Sequence, residues 1–254
     1  MAALFDGSTG YLANTSPPLV STGYPITAAA WFKPLALPVA GNGIIWEYTD
    51  TGASPPVGRF DIRFTSTGKV NVFARDGSTA ANATTTASAT LGAWHFAVAR
   101  WIGLTNRRMA VLFPDGSIEH VSNTTSVNPS SMDTLYAGAL PNFGSSPSDF
   151  FNGAMAEWWY ADADIQADGA QLSDRFVRQL AFGGPFSVAP LQKSIVEYHS
   201  ALPGVVRSPF KHYVRGGFRS TGQWTTNGGI TLAPDPSLTA SYQLPSGLTG
   251  MVAV

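Results

Sequence analysis

The stretch that most constrains this chain is Leu91–Ser117, LGAWHFAVARWIGLTNRRMAVLFPDGS. Trp94, Phe96 and Val98 alternate with His95, Ala97 and Ala99, and Met109, Val111 and Phe113 alternate with Ala110 and Leu112. Alternation with period 2 in residues of high β-propensity marks strands whose two faces are used differently. Gly103 to Arg108 supplies a polar connection of hairpin length. Asp115-Gly116 supplies a sharp turn, because glycine takes positive φ without steric cost. The pattern predicts a hairpin at the centre of a β-sandwich, with Trp94 buried between the two sheets.

The rest of the chain has the same grammar. Strands are expected at Leu4–Phe5 and Tyr11–Leu12, from Tyr24 to Trp31 with a stop at Pro34, and at Gly43–Tyr48. Further strands are expected at Phe60–Phe64, Val70–Ala74, Leu135–Ala139, Ala154–Asp162 and Ser194–His199, and a polar loop from Asp76 to Ala89. Asp-Gly-Ser recurs at Asp6, Asp76 and Asp115 with unequal spacing, so it marks three turns of one chemical kind and not a repeat. Leu172, Phe176 and Leu180 recur at i, i+4 and i+8 and predict one helix over about 173–182, with Ser173 as N-cap and Gly183 as C′. A single sandwich domain is expected over 1–232. A Pro/Gly-rich tail over 233–254 carries no periodic apolar face.

Composition excludes several functions. Charged residues are 12% of the 254, about half the usual share, while hydrophobic residues at 44% suffice for a large core. A net charge of -1 with no run of like charges offers nothing to nucleic acid or to an anionic membrane surface. No apolar run approaches the ~18 residues needed to span a bilayer. With no cysteine, disulfides, thiolate metal sites and cysteine catalysis are ruled out. The opening MAALFDGSTGYL lacks a basic region and an apolar core, so no export signal is expected and synthesis in a cytosol is.

Taken in order, FDGSTGYL, PITAAAWFKP, LGAWHFAVARW, NRRMAVLFPDGS, FFNGAMAEWWYADA and QLSDRFVRQL resemble the laminin-G-like, concanavalin A-like jelly-roll family across Leu4 to Phe182. The resemblance implies an all-β fold of two antiparallel sheets with jelly-roll connections, one short helix and an irregular C-terminal tail. Such folds host lectins, glycosidases, adhesion modules and virion proteins, so each chemistry must be sought in its own residues.

Retaining glycoside hydrolysis needs two carboxylates ~5 Å apart. Glycosidases of this fold are similar in placing them along one strand as Glu-x-Asp-x-x-Glu or Glu-x-Asp-x-Glu. Glu47 is followed by Asp50, and Glu157 by Asp162 and Asp164, so neither has that spacing and no catalytic residue is expected. Asp162, Asp164 and Asp168 look like the start of a calcium loop, yet the twelfth position from Asp164 is Arg175, where a bidentate Glu is required. No cofactor is expected. Calcium, which some members of the resembled family bind, has no motif here. His95, His120, His199 and His212 lack metal-ligand spacing, and His95 is expected to pack beside the core. Among seven Trp and eight Tyr, Trp31, Trp46, Trp94, Trp101 and Trp158-Trp159-Tyr160 fall at core-like positions. Trp224, in the turn-rich GQWTTNGG, is the best candidate for exposed stacking on a sugar.

A compact chain with no export signal, no cysteine, low charge and a Pro/Gly-rich tail resembles bacteriophage virion components assembled in the host cytoplasm. The expectation is a non-enzymatic capsid decoration (cement) or virion accessory protein, with the major capsid or other virion proteins as partners. Assembly into homo-oligomers is expected, trimers being usual for such molecules. Leu238, Tyr242, Leu244 and Leu248 of the tail join Trp224 as expected partner contacts. The alternative is a lectin-like tail accessory for host surface glycans.

Overall fold

The computed structural model describes residues 2–15, 24–39, 41–51, 58–129, 132–140, 148–166, 169–184, 195–200, 211–214, 217–219, 225–227 and 231–233. In chain order its strands are β1 (Ala2–Asp6), β2 (Tyr11–Asn14), β3 (Ile26–Pro34), β4 (Asn42–Thr49), β5 (Gly58–Thr65), β6 (Val70–Asp76), β7 (Thr79–Thr84), β8 (His95–Gly103), β9 (Asn106–Leu112), β10 (Ile118–Asn123), β11 (Thr134–Ala137) and β12 (Asn152–Ala161). Helix α1 (Asp174–Gly183) follows, then β13 (Ile195–Ser200), β14 (Lys211–Val214), β15 (Gly217–Arg219), β16 (Thr225–Asn227) and β17 (Thr231–Ala233). Sheet I runs β10-β9-β8-β3-β12-β13-β14-β15, with β1 also on β12 and β17 on β1; sheet II runs β16-β2-β11-β4-β5-β6-β7. The first four strands and β10, β11 and β12 alternate between the sheets, while β4–β7 and β8–β10 run as meanders within one sheet, and the result is a two-sheet antiparallel jelly-roll sandwich.

Period 2 builds two separate cores. Between the sheets, Phe32, Ala97, Ala99, Trp101, Met109, Val111, Trp158 and Tyr160 of sheet I meet Trp46, Tyr48, Phe60, Ile62, Phe64, Val70 and Val72 of sheet II. Trp101 stacks near Phe60 and Trp46, with centroids 5.3 and 5.5 Å away, and its indole N–H crosses the sandwich to the Phe73 carbonyl at 2.9 Å. The second core lies on the far side of sheet I, where Trp31, Trp94, Phe96, Val98, Leu112 and Trp159 are covered by Leu172, Val177, Leu180 and Ala181. Trp31 donates its indole N–H to the Ala181 carbonyl at 2.8 Å and so pins the end of α1. Trp158, Trp159 and Tyr160 are all buried, as expected for a strand covered on both faces.

Several expectations need correction. Trp94 is buried but faces the helix side, so it is not between the sheets. Alternation distinguishes two faces without saying which one looks at the partner sheet, and here both faces are covered. Nor is the β8–β9 hairpin central: β9 has only the edge strand β10 beyond it, while β3 and β12 lie further in. Its turn is only Leu104-Thr105, because Arg107 and Arg108 already pair with Trp101 and Arg100. The expected loop from Asp76 to Ala89 contains β7, whose Ala81 and Ala83 point inward, and β10 was not expected at all. Helix α1 buries Val177, Leu180 and Ala181; Phe176 is only half-buried, and the C-cap is Gly184 at φ +66° where Gly183 was expected. Ser173 is the N-cap, its hydroxyl accepting from Phe176 N at 3.3 Å.

Two of the three turns expected from Asp-Gly-Ser are built by carboxylates. Asp6 Oδ1 accepts from the amides of Ser8, Thr9 and Gly10 at 2.8–2.9 Å, and these bonds, with one from the Thr9 hydroxyl, outweigh desolvation and hold the carboxyl well below its usual range. Asp115 does the same for Ser117. At one side of the sandwich the sheet edges meet. Glu119 of β10 accepts from Thr86 N and Ala87 N at 2.5 and 3.0 Å, and Asn123 Nδ2 donates to the Asn82 carbonyl of β7 at 2.8 Å. Among the described residues no helix is long and apolar enough to cross a membrane.

Candidate ligand-binding face

The face of sheet II turned away from the inter-sheet core is polar, and strand register explains how it is assembled. Residues 59, 61 and 63 are Arg, Asp and Arg, alternating with the inward Phe60, Ile62 and Phe64, so period 2 delivers all three to the outer face. Register then extends the face across every strand of the sheet. Thr225 pairs with Ala13, Ala13 with Tyr136, Tyr136 with Glu47, Glu47 with Asp61, Asp61 with Phe73, and Phe73 with Asn82. At inter-strand spacings of ~4.8 Å this row is roughly 29 Å long. Parallel rows carry Thr49, Arg59, Arg75 and Ala80 on one side, and Ile44, Arg63, Asn71 and Thr84 on the other.

The centre of the face is a charged cluster folded onto one ring. Asp61 is fully buried and is gripped by Arg63 through both nitrogens of a fork, one bond being Nη2 to Oδ2 at 2.6 Å and the other Nε to Oδ1. Arg59 Nε lies 3.6 Å from the same carboxylate. Both guanidinium groups lie over Phe73, with central carbons 4.7 Å (Arg59) and 3.4 Å (Arg63) from the ring centroid. Flanking them on β6, Asn71 donates to the Thr84 hydroxyl at 2.6 Å, and Arg75 donates Nε–H to the Gly77 carbonyl at 2.6 Å. At the other end of the row, half-buried Tyr11, Tyr136 and Phe150 form a tilted aromatic trio with centroids 6.0 and 6.5 Å apart. At the β7 end, Asn82 and Thr84 are exposed.

Glu47 is the anomaly. It is fully buried directly opposite Asp61, and neither carboxyl oxygen has a hydrogen-bond partner among the described residues. The neighbouring Thr49 hydroxyl donates instead to the Gly58 carbonyl at 3.2 Å. Burial pushes the Glu47 carboxyl up to about 8; Arg59 and Arg63 oppose the shift, Asp61 adds to it, and desolvation wins. Glu47 is therefore a neutral acid at pH 7 beside the Arg-held Asp61. Burial, with Tyr11 and Glu47 adding to it, likewise pushes Tyr136 up to about 12.

The sequence brought only part of this together. Spacing along a single strand does not reveal Glu47 and Asp61, which are paired across two. Arg59, Asn71, Phe73, Arg75, Asn82 and Tyr136 were not singled out; Arg59-x-Asp61-x-Arg63 was the available signal. The candidate contacts Trp224, Leu238, Tyr242, Leu244 and Leu248 lie outside the described residues. So does Asp168 of the calcium-like segment, while Asp164 is spent on Arg100, accepting Nε–H at 2.7 Å. Among the described residues no group of three or more His, Asp or Glu could hold a metal ion. His95 is buried and stacked on Phe32; its Nδ1–H donates to the Ala93 carbonyl at 2.9 Å and Nε2 accepts from Thr90 N. Burial lowers it to about 4, so it stays neutral and is part of the packing.

Two antiparallel sheets with jelly-roll connections and a helix on one of them define a concanavalin A-like sandwich. Residues 6–164 match the concanavalin A-like lectin/glucanases superfamily, and the chain belongs to that family. Among solved structures it is similar to the heptameric SAP-like pentraxin of Limulus polyphemus, at 18% identity over 71% of this chain and 81% of that one, with a TM-score of 0.51. It is also similar to a putative carbohydrate binding protein from Bacteroides ovatus (14% identity, 91% of this chain, 58% of that one, TM-score 0.51). A third is the LG1-3 region of the laminin α2 chain (16% identity, 63% of this chain, 30% of that one, TM-score 0.51). The chain thus spans well under two thirds of the length of the last two. No curated protein matches it at a significant level.

Proposed function

We propose that this protein is a non-enzymatic glycan-binding module whose ligand lies across the outer face of sheet II. The observation that carries this reading is the single register row that joins an aromatic trio, an Arg–Asp–Arg cluster on Phe73 and the exposed Asn82. Saccharides are recognised by aromatic faces, which take their C–H surfaces, and by planar polar side chains, which read their hydroxyls. The family and the Bacteroides ovatus protein support the same class of ligand.

Binding without hydrolysis follows from Asp61. Glu47 and Asp61 face each other as two carboxyl groups on neighbouring strands, but Asp61 has both oxygens committed to Arg63 and is fully buried. A carboxylate held in a guanidinium fork is a poor nucleophile and a poor base. The test is a glycan array followed by titration calorimetry. Asn82→Ala with Thr84→Ala, at exposed positions that leave the core intact, should weaken saturable binding on the order of tenfold. Binding unchanged in the double variant, or none by the parent protein, would refute the reading.

A second reading, contact with other virion subunits as a decoration or accessory protein, is favoured by a different feature. Leu35, Leu37 and Val39 in the β3–β4 connection are 48%, 45% and 105% exposed, and Leu91 is 45% exposed on a turn tied to Pro34 by Gly92 N at 2.7 Å. Exposed aliphatics grouped at one end of a sandwich suit a protein surface better than a sugar. Leu37→Ser with Leu91→Ser should lower occupancy on undecorated particles, and deletion of 234–254 should weaken self-association or particle binding. Equal occupancy and oligomer size in both variants would remove this reading.

A further inference from the structure

Resting on the glycan-binding reading, we propose that the sheet II face selects saccharides carrying an anionic group, read by the guanidinium tips of Arg59, Arg63 and Arg75. The argument begins with donors that the fold leaves uncommitted. Arg63 spends Nε and Nη2 on Asp61, and Arg75 spends Nε on Gly77. Arg59 makes an ion pair at 3.6 Å and no hydrogen bond. Of these three side chains only Arg59 Nε is both sealed from solvent and without a partner. The side chains of Arg59 and Arg63 are only 10% and 9% exposed and Arg75 is half-buried, and the Nη groups of Arg59 and Arg75, with Nη1 of Arg63, make no hydrogen bond to the described residues.

Two of these groups meet over one ring, and the third lies on the neighbouring strand. Arg59 and Arg63 are four residues apart on β5, yet both fold inward over the same Phe73 ring, and Arg75 sits directly opposite Arg59 on β6. Two like charges opposite each other on neighbouring strands repel unless something answers them. Within the cluster the answer is incomplete. Asp61 is one carboxylate between the guanidiniums of Arg59 and Arg63, with Arg75 on the next strand, and Asp149 acts on Arg63 through its charge. Glu47, the other acid facing the cluster, is buried without a hydrogen-bond partner among the described residues and holds its proton at neutral pH. Fork-shaped donors with unanswered positive charge, beside the exposed amide of Asn82, fit a carboxylate or sulfate on a sugar ring.

The test uses matched pairs: trigalacturonate and its methyl ester, sialyllactose and lactose, and a sulfated disaccharide with its desulfated form. At low salt at least one acidic member should bind on the order of tenfold tighter than its uncharged counterpart, and that preference should shrink towards 1 M salt, where the Debye length is about 3 Å. Arg75→Gln, at a half-buried side chain whose one bond is to a loop carbonyl, should lower the ratio of acidic to uncharged affinity within each pair. Arg59→Gln should do so more strongly, with the melting temperature followed to confirm folding. Tight binding of uncharged members with no preference for acids overturns this inference and leaves the glycan reading standing. No binding of any member overturns both.

Discussion

Replacing Glu47 by Gln should stabilise the fold increasingly as the pH rises. In the unfolded chain the carboxyl ionises near its ordinary value of 4.5, whereas in the fold burial holds it protonated up to about 8. Between these values the native state binds one more proton than the unfolded state, so stability falls as pH rises, by about 1.4 kcal/mol per pH unit. Below pH 4.5 both states are protonated and there is no cost. The cost reaches about 1 kcal/mol at pH 5 and about 3 kcal/mol at pH 7, then levels near 5 kcal/mol above pH 8. Gln keeps the shape and cannot ionise, so variant minus parent should gain roughly 2–3 kcal/mol between pH 5 and pH 7. Urea denaturation followed by tryptophan fluorescence at pH 5, 7 and 8.5 reads this difference directly. Any constant offset from burying the amide cancels between pH values. A difference that stays flat across the range would mean that Glu47 ionises normally in the fold, and the account of the cluster would fail. Against a typical total stability of about 5–15 kcal/mol, such a cost is large for one buried carboxyl to impose. Groups kept at such cost concentrate where a protein meets its ligand.

Three other outcomes are expected. Trp94→Ala should cost about 3–5 kcal/mol in chemical denaturation, the range for large aromatic truncations, because Trp94 fills the core beneath α1; an unchanged midpoint would contradict that placement. Gly138→Ala should cost about 2–4 kcal/mol, because Gly138 sits at φ +91° and an added methyl would enter the Phe5 ring; full stability would disprove that close approach. Incubation with β-glucans, galactans or bacterial surface polysaccharide should release no reducing ends above a blank, and release abolished by Glu47→Gln would establish catalysis by the Glu47–Asp61 pair.

The strands that could be read in the sequence are those buried on at least one face with large side chains. Trp94-x-Phe96-x-Val98 and Phe60-x-Ile62-x-Phe64 alternate strongly, and both are strands or lead into one. Edge strands were harder. Thr79–Thr84 is TAANAT, whose inward residues are only alanines, and Ile118–Asn123 is half-exposed along its length, so neither has a strong apolar period. Which face of β8 meets the other sheet depends on α1, far along the chain, and period 2 does not encode it. The binding face was legible only in fragments. Arg59, Asp61 and Arg63 share a face by alternation alone, but bringing Glu47 opposite Asp61 requires the β4–β5 register, which bulges between Ile44 and Trp46. The burial that keeps Glu47 protonated comes from the assembled sheet and not from its neighbours in sequence.

The seam between β7 and β10 bears on how copies of this chain could join. A free strand edge is a template, since its outward carbonyls and amides can recruit a strand from another molecule. At this edge the Asn82 carbonyl of β7 is already occupied by Asn123, and the amides of Thr86 and Ala87, just beyond the strand, are capped by Glu119. An incoming strand would have to displace Asn123 before it could hydrogen-bond to Asn82. Polymerisation by sheet extension is thus obstructed along this border, and subunits that associate there must meet through side chains.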